Sequence, residues 1–166
     1  MLPNWDATVL LGAAIGAVLQ PGDVVAITGD LGAGKTTLAQ AIAAGAGYTG
    51  VVTSPTYSLI HEYHGRVTIV HIDPYRLDEP EEMFELGLAD YLDQPCALIV
   101  EWANRIERLL PADRLTVALS LESSSGDAGG VPAERRAVLS ASEAGSLRLF
   151  DAAISAIEAG ALDAHG

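Results

Sequence analysis

The segment that most constrains this chain is Gly29-Asp30-Leu31-Gly32-Ala33-Gly34-Lys35-Thr36. It fits the pattern G-x-x-x-x-G-K-[ST], and its flanks fit too. The apolar run Val24–Thr28 before it reads as a short buried parallel strand, and Lys35–Ala46 after it reads as a helix ended near Gly45 or Gly47. Glycines let such a loop curl and turn successive N–H groups inward, which makes a nest for an anion, and the helix N-terminus adds positive potential. Lys35 can then reach β- and γ-phosphates, and the Thr36 hydroxyl can ligate Mg²⁺, a hard ion that prefers oxygen. Lys35 is also the only lysine in the chain; every other basic residue is arginine. With lysine this rare, a chance match to the pattern is expected about once per thousand such chains. The expected nucleotide-binding residues are therefore Asp30, Leu31, Gly32, Ala33, Gly34, Lys35, Thr36 and Thr37, with ATP and Mg²⁺ as the cofactors.

The remaining pattern predicts an α/β fold: a P-loop NTPase-like mixed sheet with helices on both faces, in a single domain over residues 1–166. Asp6–Leu19 reads as a helix capped by Asn4 or Asp6, and Pro21-Gly22-Asp23 as a turn. Val51-Val52 reads as a brief strand. Tyr57–Tyr63 and Val67–Ile72 read as a hairpin around His64-Gly65-Arg66. Pro80–Leu92 is expected to be mostly helical, Ala97–Val100 a buried strand, and Asn104–Leu110 a short helix. Leu115–Leu121 and Glu134–Ser140 suggest a second hairpin around the Ser- and Gly-rich segment 123–132, followed by an amphipathic helix over Ser146–Ala159.

Composition limits the partners. The formal charge of −13 leaves no basic face for tracking a nucleic-acid backbone or docking on anionic lipid. Any RNA is expected to be gripped mainly by a partner protein. The apolar run Val9–Leu19 follows Asp6 with no Lys or Arg, unlike an export signal, and is too short to span a bilayer. The expected location is the cytoplasm, with no membrane partner. Cys96, the sole cysteine, allows no internal disulfide and reads as a half-buried residue just before a strand.

A phosphate site of this kind needs a further carboxylate, and parallel strands deliver such groups at their C-terminal ends. Two qualify. Val67–Ile72 runs into Asp73, and Ala97–Val100 runs into Glu101. The expected catalytic set is Lys35, Asp73 and Glu101. Glu101 is assigned to the metal with Thr36, directly or through a water, because it ends the more apolar strand. Asp73 is assigned to positioning or deprotonating the attacking water, or to sharing the metal. Trp102 either packs at the sheet edge or serves the site. His71 reads as structural, because no Cys or second His stands at metal spacing. Thr56 lies where some P-loop proteins carry a switch threonine. Arg76 could reach phosphate or pair with Asp78, whereas Arg105, Arg108 and Arg114 read as a solvated face. No arginine-rich lid is evident; Arg135 and Arg136 fall in a predicted strand.

Several of these pieces stand in one order. Pro21-Gly22-Asp23, GDLGAGKTT from Gly29 to Thr37, Ser54-Pro55-Thr56-Tyr57 with His61-Glu62-Tyr63, His71-Ile72-Asp73-Pro74-Tyr75-Arg76-Leu77, and Glu101-Trp102 together resemble the TsaE (YjeE) family over roughly residues 8 to 110. The departure is Ala103, where that family usually has proline. The resemblance implies an ATPase whose binding and hydrolysis of ATP support a partner complex, TsaD with TsaB. That complex transfers threonylcarbamoyl from its adenylate to N6 of an adenosine in the tRNA anticodon loop. By position it implies that Lys35 and Thr36 hold phosphate and Mg²⁺, that Asp73 and Glu101 serve metal and catalysis, that Thr56 belongs to a switch loop, and that Trp102 matters for function. Two other readings of the residues stay open: a small-molecule P-loop kinase, and a nucleotide-dependent binding module that does not hydrolyse.

Overall fold

The computed structural model describes residues 1–2, 4–122 and 135–163. Its elements in chain order are α1 (Trp5–Val18), β1 (Val24–Gly29), α2 (Lys35–Gly45), β2 (Ile60–His64), β3 (Thr68–Ile72), α3 (Glu82–Glu85), α4 (Leu88–Leu92), β4 (Cys96–Glu101), β5 (Leu115–Leu121), β6 (Arg135–Ser140) and α5 (Ala144–Asp163). Short 3-10 turns occupy Pro74–Arg76, Ala103–Arg105 and Glu107–Leu109.

One six-stranded sheet organises the chain in the order β2-β3-β4-β1-β5-β6. The four inner strands are parallel, and the two edges, β2 and β6, run antiparallel to their neighbours. Strand residues alternate between two cores, as the period of two requires. Val25, Ile27, Ile69, Ile99 and Val117 pack with α1, α2 and α5, through Leu11, Ile15, Leu38, Ile42 and Leu149. Val24, Ala26, Val70, Leu98 and Val100 pack on the other face with Met83, Leu88 and Ile106. Helices thus cover both faces, as expected.

The crossing of α1 over α2 depends on glycine. A Cβ on Gly16 would stand 2.1 Å from the Ile42 carbonyl oxygen, and one on Gly45 would stand 2.4 Å from that of Ala13. The two backbones touch, which fixes how α2, and with it the Gly-rich loop, sits on the sheet. Asn4 rather than Asp6 caps α1, its Oδ1 accepting from the Ala7 N–H at 2.9 Å.

Four expectations are corrected. Val51-Val52 is coil and not a strand; it pairs with no strand of the sheet, and β2 is the strand that lies beside β3. Strand β2 begins at Ile60 and not Tyr57, since Leu59 turns the chain at φ 66. The Pro80–Leu92 helix is split into α3 and α4 at Gly87, whose φ of 85 no continuous helix allows. The expected Asn104–Leu110 helix consists of 3-10 turns parted at Ile106. Segment 123–132 and Glu134 lie outside the described residues. Among those described, no helix is long and apolar enough to cross a membrane.

Candidate functional site

The site is assembled where the parallel strands end. Strand β1 stops at Gly29, whose φ of 137 and close approach to the Leu119 carbonyl, 2.2 Å from where a Cβ would stand, exclude any other residue. The loop then turns through Gly32 (φ 81) and Gly34 (φ 102) into α2. Lys35, Thr36 and Thr37 form the first turn of α2, where backbone N–H groups have no helical acceptor. Within the loop the Ala33 N–H is already engaged, donating to the Asp30 carbonyl at 3.2 Å. Leu31 projects from the tip, 79% exposed.

Lys35 is buried and folds back over this loop. Its Nζ donates to the carbonyls of Gly29 and Asp30, each at 2.8 Å. The Trp102 ring covers it, with Nζ 3.5 Å from the centroid. Burial pulls the Lys35 amine below its ordinary range, opposed by the negative charges of Glu101, Asp73 and Asp30. Trp102 takes a left-handed conformation (φ 50), an uncommon state for a bulky residue, and Tyr75 stacks on it at 4.7 Å between ring centroids. Of the two readings for Trp102, the structure places its ring on the site.

Glu101 and Asp73 arrive from adjacent strands, β4 and β3, paired with Ile72 opposite Val100. Both are buried. The Thr36 hydroxyl donates to Glu101 Oε2 at 2.8 Å, and His71 Nε2 donates to Oε1 at 2.9 Å. The ionised carboxylate can only accept, so Nε2 carries a proton, and among the described residues Nδ1 has no hydrogen-bond partner. Asp73 is held on both oxygens. Oδ2 accepts from Thr56 Oγ1 at 2.6 Å, with Ser54 Oγ at 3.4 Å, and Oδ1 accepts from the Tyr75 N–H at 3.0 Å. The Thr56 hydroxyl is thus held on the Asp73 carboxylate.

These residues can be tested against a Mg²⁺ ion. Two oxygens on neighbouring corners of a Mg²⁺ octahedron with ~2.1 Å bonds stand about 3 Å apart. Thr36 Oγ1 and Glu101 Oε2, at 2.8 Å, fit that edge. No group of three His, Cys, Asp or Glu suited to a metal occurs among the described residues.

Three participants were not read from the sequence: His71 as the partner of Glu101, Ser54 beside Asp73, and Tyr75 under Trp102. The HIDPY run contains two of them, but their roles depend on pairings that only the folded sheet creates. Other expectations are redirected. Among the described residues Arg76 makes no ion pair with Asp78; its guanidinium lies over the Tyr57 ring, 4.2 Å from the centroid. Arg105 and Arg108 are exposed, as a solvated face requires, while Arg114 is half-buried; Arg105 donates to the Leu77 carbonyl, Arg108 pairs with Glu81, and Arg114 pairs with Glu107. Cys96 is fully buried as the first residue of β4, its Sγ donating to the Tyr91 carbonyl, and burial raises its thiol above the ordinary range.

Comparison with known proteins gives a consistent result. A family described as "Threonylcarbamoyl adenosine biosynthesis protein TsaE" matches residues 2–128. The Bacillus subtilis protein called tRNA threonylcarbamoyladenosine biosynthesis protein TsaE is 40% identical over 117 residues, 70% of this chain and 73% of the relative. A Nostoc relative with the same name is 38% identical over 138 residues, 80% of this chain and 82% of its own length. A crystal structure of the Bacillus subtilis protein YdiB is similar with a TM-score of 0.74 at 31% identity, over 92% of this chain and 90% of that one.

Proposed function

Because the chain belongs to the TsaE family of threonylcarbamoyl adenosine biosynthesis proteins, we propose that it is a Mg-dependent ATPase supporting threonylcarbamoyl transfer to N6 of adenosine in tRNA. The transfer itself falls to a partner complex, TsaD with TsaB, and the chain meets tRNA only through it. The observation that carries the ATPase reading is the meeting of Thr36, in the first turn of α2, with Glu101 at the end of β4, 2.8 Å apart beside the Gly-rich loop. Loop and helix supply N–H donors and positive potential for phosphate. Lys35 supplies a full charge for the β- and γ-phosphates and exchanges its carbonyl partners for phosphate oxygens.

Thr36 and Glu101 would hold Mg²⁺, which when bound neutralises charge on the β- and γ-oxygens. His71 fixes the Glu101 carboxylate in one orientation through its second oxygen, as partners of metal-binding carboxylates do. Asp73 orients the attacking water. Thr56 and Ser54 tie the segment Ser54–Tyr57 to that carboxylate, so a partner that docks on this segment can adjust where the water stands. The acidic chain suits a protein partner better than a nucleic acid. Depletion of the protein, with nucleosides from total tRNA measured by mass spectrometry, tests the pathway assignment. Threonylcarbamoyladenosine falls on depletion and returns with the wild-type chain but not with Lys35→Ala. An unchanged level would remove the pathway reading and leave the ATPase reading standing.

A further inference from the structure

The run His61-Glu62-Tyr63 belongs to neither the cradle nor the carboxylates, and strand β2 divides it between two faces. Glu62 meets α4, where the Tyr91 hydroxyl donates to it at 2.9 Å. His61 and Tyr63 meet the segment that leads into the site. The hydroxyl of buried Tyr63 donates to the Thr53 carbonyl at 2.9 Å, so what it offers His61 is its oxygen, 3.2 Å from Nδ1. Nδ1 therefore carries the proton of the neutral ring, and Thr53 Oγ1 stands 3.4 Å from it. That leaves Nε2 to accept from the Ser58 hydroxyl at 2.7 Å.

One imidazole thus touches both feet of a short loop, Thr53 and Ser58. Between those feet stand Ser54 and Thr56, the two hydroxyls on Asp73. The loop does not hold this shape by its own preference. Leu59, directly after Ser58, takes φ 66, a left-handed conformation that a bulky residue keeps only where its surroundings impose it. Its N–H donates to the Pro55 carbonyl at 2.6 Å, and its carbonyl accepts from the Asp73 N–H at 3.0 Å. The strained joint, the ring across the base and the two hydroxyls on one carboxylate form a connected chain of contacts.

We propose that His61 is a positioning residue: its imidazole clasps the loop from Thr53 to Ser58 and thereby keeps Thr56 on Asp73. It acts only through that loop. Without the clasp the two feet separate, Leu59 relaxes out of the left-handed region, and Thr56 exchanges Asp73 for water. The carboxylate then loses its shortest hydrogen bond and the orientation that bond imposes. The inference rests on the reading of Asp73 as the group that orients the attacking water, and it names what holds that group in place.

The test uses the full chain in two measurements. In hydrogen exchange followed by NMR, His61→Ala is expected to speed the Leu59 and Asp73 amides, both bonded across the joint, by ~10-fold or more, with the amides of α2 unchanged. Ser58→Ala is expected to do the same to a smaller extent, and because Ser58 is exposed it keeps the test open if His61→Ala lowers the thermal melt. In steady-state turnover of Mg-ATP, His61→Ala is expected to lower kcat about 5-fold with KM within a factor of ~2, the loss of one hydrogen bond on Asp73. In a Thr56→Val background the same substitution is expected to cost less than ~2-fold, since the bond it protects is already gone. Unchanged exchange in both variants, wild-type kcat in His61→Ala, or an undiminished loss in the Thr56→Val background would overturn the proposal. Failure of the ATPase reading looks different: wild type itself turns over no ATP, or Lys35→Ala does so as wild type does, while the exchange measurement still reads the clasp.

Discussion

The two sides of the site are built by different means. The phosphate side is nearly all backbone. Gly29, Gly32 and Gly34 take conformations closed to other residues, and Gly29 presses on the Leu119 carbonyl. The carboxylate side is nearly all side chain: Thr36 on Glu101, His71 on Glu101, Thr56 and Ser54 on Asp73, and Trp102 over Lys35. The first side is fixed by eight contiguous residues and the strand and helix around them. The second joins Lys35 and Thr36 to residues gathered from positions 54 to 102 and is held by single side-chain contacts. Backbone geometry makes a cradle that is ready for its ligand, whereas hydroxyl–carboxylate bonds can be exchanged for bonds to a metal, a water or a docked partner. On the proposed reading, the first side holds the nucleotide and the second makes its hydrolysis conditional.

Substitutions should separate the two sides. The largest effect is expected in the cradle. Gly29→Val adds branched carbon to a φ of 137 and to a carbonyl 2.2 Å away, and is expected to abolish detectable Mg-ADP binding and destabilise the fold by ~3 kcal/mol or more, read by calorimetry and denaturant melts. Wild-type behaviour would mean that the loop is not the rigid half.

Next come the carboxylates. Glu101→Gln is expected to weaken Mg-ADP by ~10-fold or more and flatten its dependence on Mg²⁺. Asp73→Asn is expected to leave Mg-ADP affinity close to wild type and to lower turnover. Affinities in the reverse order would exchange the two roles.

Thr56→Val breaks one bond of the gathered side, the 2.6 Å donation to Asp73. Turnover is expected to fall several-fold, in line with the ~1 kcal/mol worth of one hydrogen bond, with Mg-ADP affinity within a factor of ~2. Equal loss of both would tie Thr56 to the cradle.

The smallest effect lies away from both sides. Asp113 receives the Ser146 N–H at 2.8 Å and the Gly145 N–H at 3.2 Å in the first turn of α5. Hydrogen bonds from Ser146, foremost, hold its carboxyl below the ordinary range. A depressed carboxylate contributes stability that is present above its unfolded pKa and lost as pH falls through the folded one. Asp113→Asn is therefore expected to melt slightly lower at neutral pH, with the difference closing in acid and nucleotide binding unaffected. A gap that stays constant from neutral to acid pH would contradict the assignment.

Much of this was legible in the linear chain, for local reasons. The strand–loop–helix unit was readable because its glycines, Lys35 and Thr36 are contiguous. Asp73 and Glu101 were readable because a parallel strand that ends in an acid places it on the ligand side. What escaped depended on partners distant in sequence. His71 reads as an ordinary core histidine until β3 is set beside β4. Val51-Val52 reads as a strand until the sheet is seen to pair with no part of it. Gly87, by contrast, carried a local sign of the break between α3 and α4, which the acidic and apolar run around it masked.

The central claim is that this cradle and these carboxylates hydrolyse ATP in service of a partner. The most direct measurement is Mg-dependent ATP turnover by the purified chain, alone and with TsaD and TsaB from the same organism, in wild type and Lys35→Ala. The account predicts slow turnover alone, a clear rise with both partners, and a loss of more than ~100-fold in Lys35→Ala under either condition. Turnover that persists in Lys35→Ala, or that is absent from wild type with both partners present, would contradict it.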